Sequence, residues 1–83
     1  MKIIYPDYSE ESISDRKISK KLVEDALLNP DEVIESKKGR KIAHKVIGHR
    51  LLRVVYKESK KAYIVVTAYY TEPKRYMKNE NNL

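Results

Sequence analysis

The chain has 83 residues, with 18 Lys or Arg against 12 Asp or Glu, two glycines and no cysteine. That length closes one domain around a modest core. The missing thiols exclude disulfides, Cys-based zinc sites, redox motifs and thiol nucleophiles, and two glycines are too few for a phosphate-cradling loop or a dinucleotide fingerprint.

The formal charge is +6, and it is segregated. Residues 1–35 carry nine acids and five bases, a net of −4, whereas residues 36–83 carry thirteen bases and three acids, a net of +10. Such a basic half concentrates polyanions around itself, nucleic acid first among them. The opening MKIIYPDYSEE has an apolar patch too short for a signal peptide, and no run approaches a membrane span. A soluble cytoplasmic protein with no membrane partner is the expectation.

In chain order, Lys2–Tyr5 can form a short edge strand that Pro6 ends by removing an amide donor. Asp7 and Glu10 have capping-box spacing, so residues 8–17 read as a short polar helix anchored by Tyr8 and Ile13. Ser19 offers a second N-cap, and KKLVEDALL puts Leu22, Val23, Ala26 and Leu27 on one stripe before Asn29 and Pro30 stop the helix.

From Asp31 the period becomes alternating. DEVIES, Lys41–Ile47, Arg50–Lys57 and Ala62–Tyr70 read as four strands. Lys37–Arg40, Gly48-His49 and ESKK are the turns between them, each too short for a crossover helix, so the strands form an antiparallel meander. The expected fold is α+β: two N-terminal helices packed on one face of a twisted four-stranded antiparallel sheet, to which Lys2–Tyr5 can add an edge strand. It spans residues 1–83 as one domain with a tail frayed from about residue 77.

Simple alternation puts Ile42, Val46, Leu52, Val54, Ile64, Val66 and Ala68 under the helices. It leaves Lys41, Lys45, Arg53, Lys57, Tyr63, Thr67 and Tyr69 on the other face. A basic face with interleaved tyrosines suits RNA, whose backbone is held by charge while unpaired bases stack on rings. Lys41, Lys45, Lys57 and Tyr63 are the expected RNA-binding residues.

Cleavage of RNA without a metal needs a base for the ribose 2′-hydroxyl, cations for the phosphorane and an acid for the leaving 5′-oxygen. Arg53, Lys74 and Arg75 can supply charge, and Tyr69 or Tyr76 can relay a proton. His44 and His49 are the residue type able to exchange protons near neutrality. Alternation, however, makes His44 a core histidine, and His49 beside Gly48 reads as a turn residue. Neither has an acidic sequence neighbour that would make a ligand set, so no metal or other cofactor is expected.

The stretch DRKISKKLVEDALLNPDEVIESKKGRKI, followed by RLLRVVYKE and IVVTAYYTEPKRY, resembles a small family of unknown function placed in the RelE/ParE toxin superfamily. The likeness covers residues 8–76, through Arg16-x-Ile18-Ser19, Asn29-Pro30-Asp31, Val66-Thr67-Ala68-Tyr69 and Lys74-Arg75-Tyr76 in order and spacing. It implies a toxin of a type II toxin–antitoxin pair, acting on RNA free or ribosome-bound and neutralised by an acidic cognate antitoxin. It also implies that Lys74, Arg75 and Tyr76 belong to an endoribonuclease (mRNA interferase) site. A non-catalytic RNA- or protein-binding module and a gyrase-directed ParE-like toxin are the alternatives that the same fold serves. Relatives carry His-Ala at the start of the first helix and an Arg four residues after that His. This chain has Tyr8-Ser9 and Ser12 there.

Overall fold

A computed structural model describes residues 2–73. Its elements are β1 (Lys2–Ile4), α1 (Asp7–Asp15), α2 (Lys20–Leu28), β2 (Glu32–Glu35), β3 (Arg40–Ile47), β4 (Arg50–Glu58) and β5 (Ala62–Thr71). The architecture is α+β, with both helices preceding the main meander as expected. The sheet, however, has five strands in the order β1-β5-β4-β3-β2 and is mixed, because β1 lies parallel to β5, with Lys2 beside Ala62 and Ile4 beside Ile64. The four-stranded, wholly antiparallel expectation is corrected on that point. Two helices intervene between β1 and the rest, which gives the chain length enough for a parallel return that no hairpin permits.

α1 begins at Pro6 without a side-chain cap. Proline suits the start of a helix because its absent N–H would have no intrahelical acceptor there. The capping box of Asp7 and Glu10 does not form. The Ser9 hydroxyl instead donates to the Pro6 carbonyl at 2.9 Å. Ser9 and Ile13 are buried while Tyr8 is exposed, so Tyr8 anchors nothing. The helix stops in a Schellman arrangement: Ile18 N–H donates to Ile13 O at 2.9 Å, Lys17 N–H donates to Ser14 O, and Lys17 takes a left-handed φ of 57°. Ile13 and Ile18 close this turn as part of the core.

α2 follows its sequence signals closely. Ser19 accepts from Leu22 N–H at 3.2 Å, and Val23, Ala26 and Leu27 are buried. Asn29 ends it with an ordinary negative φ, its side chain donating to Asp25. The helices cover one face of the sheet, where Ile13, Val23, Ala26 and Leu27 meet Ala43, Leu52, Val54, Tyr56, Val65 and Ala68.

Which residues share that face is fixed by two local features. Gly48-His49 is a two-residue turn with positive φ at Gly48 alone, the pattern of a type II′ hairpin, and it pairs Ile47 with Arg50. Ala43 is therefore opposite Val54, and His44 opposite Arg53. A register shift between Val55 and Tyr56 then leaves Val66 as an extra residue in β5, so Tyr56 pairs with Val65 while Val55 pairs with Thr67. The outer face thus presents Ile42, His44, Arg53, Lys57, Thr67 and Tyr69. The expected face division is corrected accordingly for Ile42, His44, Val46 and Ile64, which lie outside, for Val66, which the bulge puts beside the outer depression, and for Lys41, Lys45 and Tyr63, which lie on the helix side.

Candidate functional site

Four strands contribute one residue each to a row across the outer face. Glu32 in β2 is opposite His44 in β3, His44 opposite Arg53 in β4, and Arg53 opposite Tyr69 in β5. Side chains at directly paired positions stand close enough to touch, and here they do. Glu32 Oε1 lies 2.9 Å from His44 Nδ1, Arg53 Nε lies 3.1 Å from His44 Nε2, and the Arg53 guanidinium carbon sits 5.5 Å from the centre of the Tyr69 ring.

The chemistry of these contacts fixes the proton arrangement. An arginine Nε always carries hydrogen and can only donate, so His44 Nε2 accepts. The imidazole hydrogen is then on Nδ1 and is donated to the Glu32 carboxylate. His44 is fully buried and Arg53 is 6% exposed, so a polar chain runs beneath the surface and sets the plane of the guanidinium that faces Tyr69. Tyr69 is half-buried.

Beside the row, the outer face holds a shallow depression of about 540 Å³. Its floor includes Ile42, Val55 and Val66, Tyr69 and Thr67 bound it on β5, and Ser36, Lys37, Lys38 and Arg40 bound it at the turn between β2 and β3. Among the described residues no carboxylate lines it. The turn is a single 3-10 turn over Lys37–Gly39 in which Lys38 and Gly39 both have positive φ, 61° and 74°. The Nε–H of Arg40 is buried without a hydrogen-bond acceptor among the described residues.

Thr67 connects this depression to α1. Its hydroxyl lies 2.8 Å from the Ser12 hydroxyl, and Arg16 Nη1 donates to Thr67 at 3.3 Å and also to Ser12. Arg16, one turn beyond Ser12, thereby brings a guanidinium to the margin of β5.

The sequence-derived site residues fall into three groups. Arg53 and Tyr69 are brought together on the outer face, and Lys57 joins them there, exposed and opposite Arg40. Lys41, Lys45 and Tyr63 face the helices instead. Lys41 pairs with Glu58 at 2.9 Å, and that hydrogen bond and charge raise its pKa. Lys45 donates to the Asn29 carbonyl at 2.8 Å, and Tyr63 packs edge-on against Tyr56 at 5.1 Å. Lys74, Arg75 and Tyr76 lie outside the described residues.

Glu32, Lys37, Lys38, Arg40 and His44 were not among the expected site residues. The signal that places His44 was present, since a two-residue turn at Gly48-His49 pairs positions of opposite parity and so puts His44 beside Arg53 rather than beside Leu52. Among the described residues no three His, Asp or Glu side chains are grouped as metal ligands, and no helix is long and apolar enough to cross a membrane.

The fold and the row define a small α+β domain whose outer sheet face sets a polar row beside an apolar depression with a basic rim. A family model described as a domain of unknown function (DUF4258) matches residues 9–70, and the chain belongs to that family. No curated protein and no solved structure matches it.

Proposed function

We propose that this chain is a cytoplasmic RelE-like toxin of a type II toxin–antitoxin pair, which binds RNA on the outer face of its sheet and acts as a metal-independent endoribonuclease. The observation that carries the reading is the Glu32–His44–Arg53–Tyr69 row next to a depression edged by Lys37, Lys38 and Arg40. It joins an oriented guanidinium and an aromatic ring to a cationic rim, the combination that holds a single-stranded phosphodiester backbone.

In the reaction the ribose 2′-oxygen attacks phosphorus, the bond to the 5′-oxygen breaks, and one proton leaves the 2′-hydroxyl while another reaches the 5′-oxygen. Arg53 supplies charge for the phosphorane, and Tyr69 exchanges a proton, with Lys74, Arg75 and Tyr76 as the remaining candidates from the sequence. His44 is a positioning residue: its accepting nitrogen is occupied by Arg53, and it is buried. An acidic antitoxin segment complements the same cationic rim.

The complete burial of His44 favours a second reading, a non-catalytic RNA-binding module of the same fold. Single-stranded RNA incubated with and without ribosomes separates the two. Cleavage by the wild type that falls at least tenfold in Tyr69→Phe and in Arg75→Ala supports the endoribonuclease. Salt-dependent binding without cleavage products supports the module, and equal cleavage by all three proteins removes the assigned residues from the site.

A further inference from the structure

We infer that the depression between the β2–β3 turn and Tyr69 is the seat of one unpaired nucleotide, its base on the Ile42 and Val55 floor against Tyr69 and its phosphate on Arg40 and the lysines beside it. The inference rests on the RNA-binding reading of the outer face and names the unit recognised there.

Three independent features point to it. The buried Nε–H of Arg40 has no acceptor among the described residues, and an unsatisfied donor favours an incoming anionic oxygen. Lys37, Lys38 and Arg40 line the same rim, and among the described residues no carboxylate lines it with them. The floor is apolar, with aliphatic Ile42 and Val55 and the Tyr69 ring at its margin, which suits the flat face of a base and not a bare inorganic anion. A depression of about 540 Å³ also falls within the range of small-ligand sites, roughly 300–1,000 Å³.

Lys38 explains why the rim has this form. Its left-handed backbone, followed by Gly39 in the same region, folds the turn tightly enough to put Lys37, Lys38 and Arg40 around one end of the depression. A lysine in this conformation is strained relative to glycine.

The test uses the full chain, isotopically labelled, titrated with adenosine 5′-monophosphate, with adenosine and with inorganic phosphate. Adenosine monophosphate is expected to shift the amides of residues 36–42, Val55, Thr67 and Tyr69, and to bind at least tenfold more tightly than either adenosine or phosphate alone. Arg40→Gln is expected to weaken the monophosphate at least tenfold with little effect on adenosine, Arg40→Lys to restore part of that loss, and Tyr69→Leu to weaken monophosphate and adenosine alike. Shifts confined to another surface, or equal affinity in Arg40→Gln and the wild type, overturn the subsite. A single-stranded RNA run in parallel keeps the two claims apart. RNA bound equally by wild type and Arg40→Gln overturns the subsite and leaves the RNA-binding reading standing. Monophosphate bound in the depression by a protein that ignores RNA supports the subsite and removes the RNA-binding reading.

Discussion

Arg53 Nε donates to His44 Nε2 at 3.1 Å, while His44 Nδ1 lies 2.9 Å from Glu32. This order requires the neutral imidazole with its hydrogen on Nδ1. Nitrogen chemical shifts of labelled protein should show that tautomer, with Nε2 as the unprotonated atom, and the opposite tautomer would contradict the hydrogen-bond order of the row.

Replacing His44 by Phe keeps a ring in the row but removes both polar atoms. The hydrogen bonds that His44 makes with Arg53 and Glu32 are then lost in a buried place, at a cost of about 1–3 kcal/mol. Denaturant unfolding should show a destabilisation of that size, whereas His49→Phe, at an exposed turn position, should leave stability within about 0.5 kcal/mol of wild type.

Lys17 adopts the left-handed conformation at the end of α1, with φ of 57°. Glycine adopts it without the steric penalty of a Cβ atom, at some cost in chain entropy. Lys17→Gly should therefore stabilise the protein by about 0.5–1 kcal/mol, read as a rise in Tm of about 2–8 °C for a domain of this size. A fall in Tm would show that the Lys17 side chain contributes more than its backbone strain costs.

Alkaline pH should destabilise the protein. Burial, followed by the Glu24 carboxylate to which its hydroxyl donates at 3.1 Å, raises the Tyr5 phenol well above its ordinary value of 10.0. Burial, followed by the neighbouring Tyr63, also raises Tyr56. A phenol whose pKa is higher in the folded state holds its proton there after the unfolded chain has released it. The contribution is therefore complete below about pH 10 and is lost as pH rises beyond it. Urea midpoints should fall as pH is raised above about 10, less steeply in Tyr5→Phe. An unchanged slope in that variant would exclude Tyr5 as a source.

Salt should distinguish the two faces of the sheet. Lys57 and Lys38 are exposed at the outer side, whereas Lys41 and Lys45 hold Glu58 and the end of α2. For a single strand, each phosphate that a cation no longer neutralises lowers the slope of log affinity against log salt by about 0.7. Lys57→Ala and Lys38→Ala should each show that decrease for RNA binding, and Lys41→Ala and Lys45→Ala should not. Equal effects from all four would mean that RNA does not discriminate between the faces.

Much of the fold was legible in the sequence because it is local. Ser19, the Leu22–Leu27 stripe and Asn29-Pro30 delimit α2 by capping and helical period, and the strand segments follow from alternation. The partnership of strands was harder to read. Alternation says that Ile42, His44 and Val46 share a side but not which side, and that choice depends on the parity set by the Gly48-His49 turn. Val66 shows the same limit within β5, since an inserted residue reverses everything beyond it. The parallel placement of β1 has no local signal at all, because Lys2 and Ala62 meet only when the tertiary structure forms. Glu32 was legible as a strand residue, but its role depends on His44 facing outward.

The pairing of β1 with β5 also orders the assembly of the domain in time. The β3–β4 and β4–β5 hairpins close over a few residues, whereas β1 must wait for a partner near the other end of the described chain and carries a larger loop-closure entropy to reach it. Until it arrives, the flank of β5 at Ala62–Ile64 is an open strand edge able to recruit another chain. The three residues Lys2–Ile4 thus act as a late cover strip, and deleting them would be felt first as self-association and only secondarily as a change at the outer face.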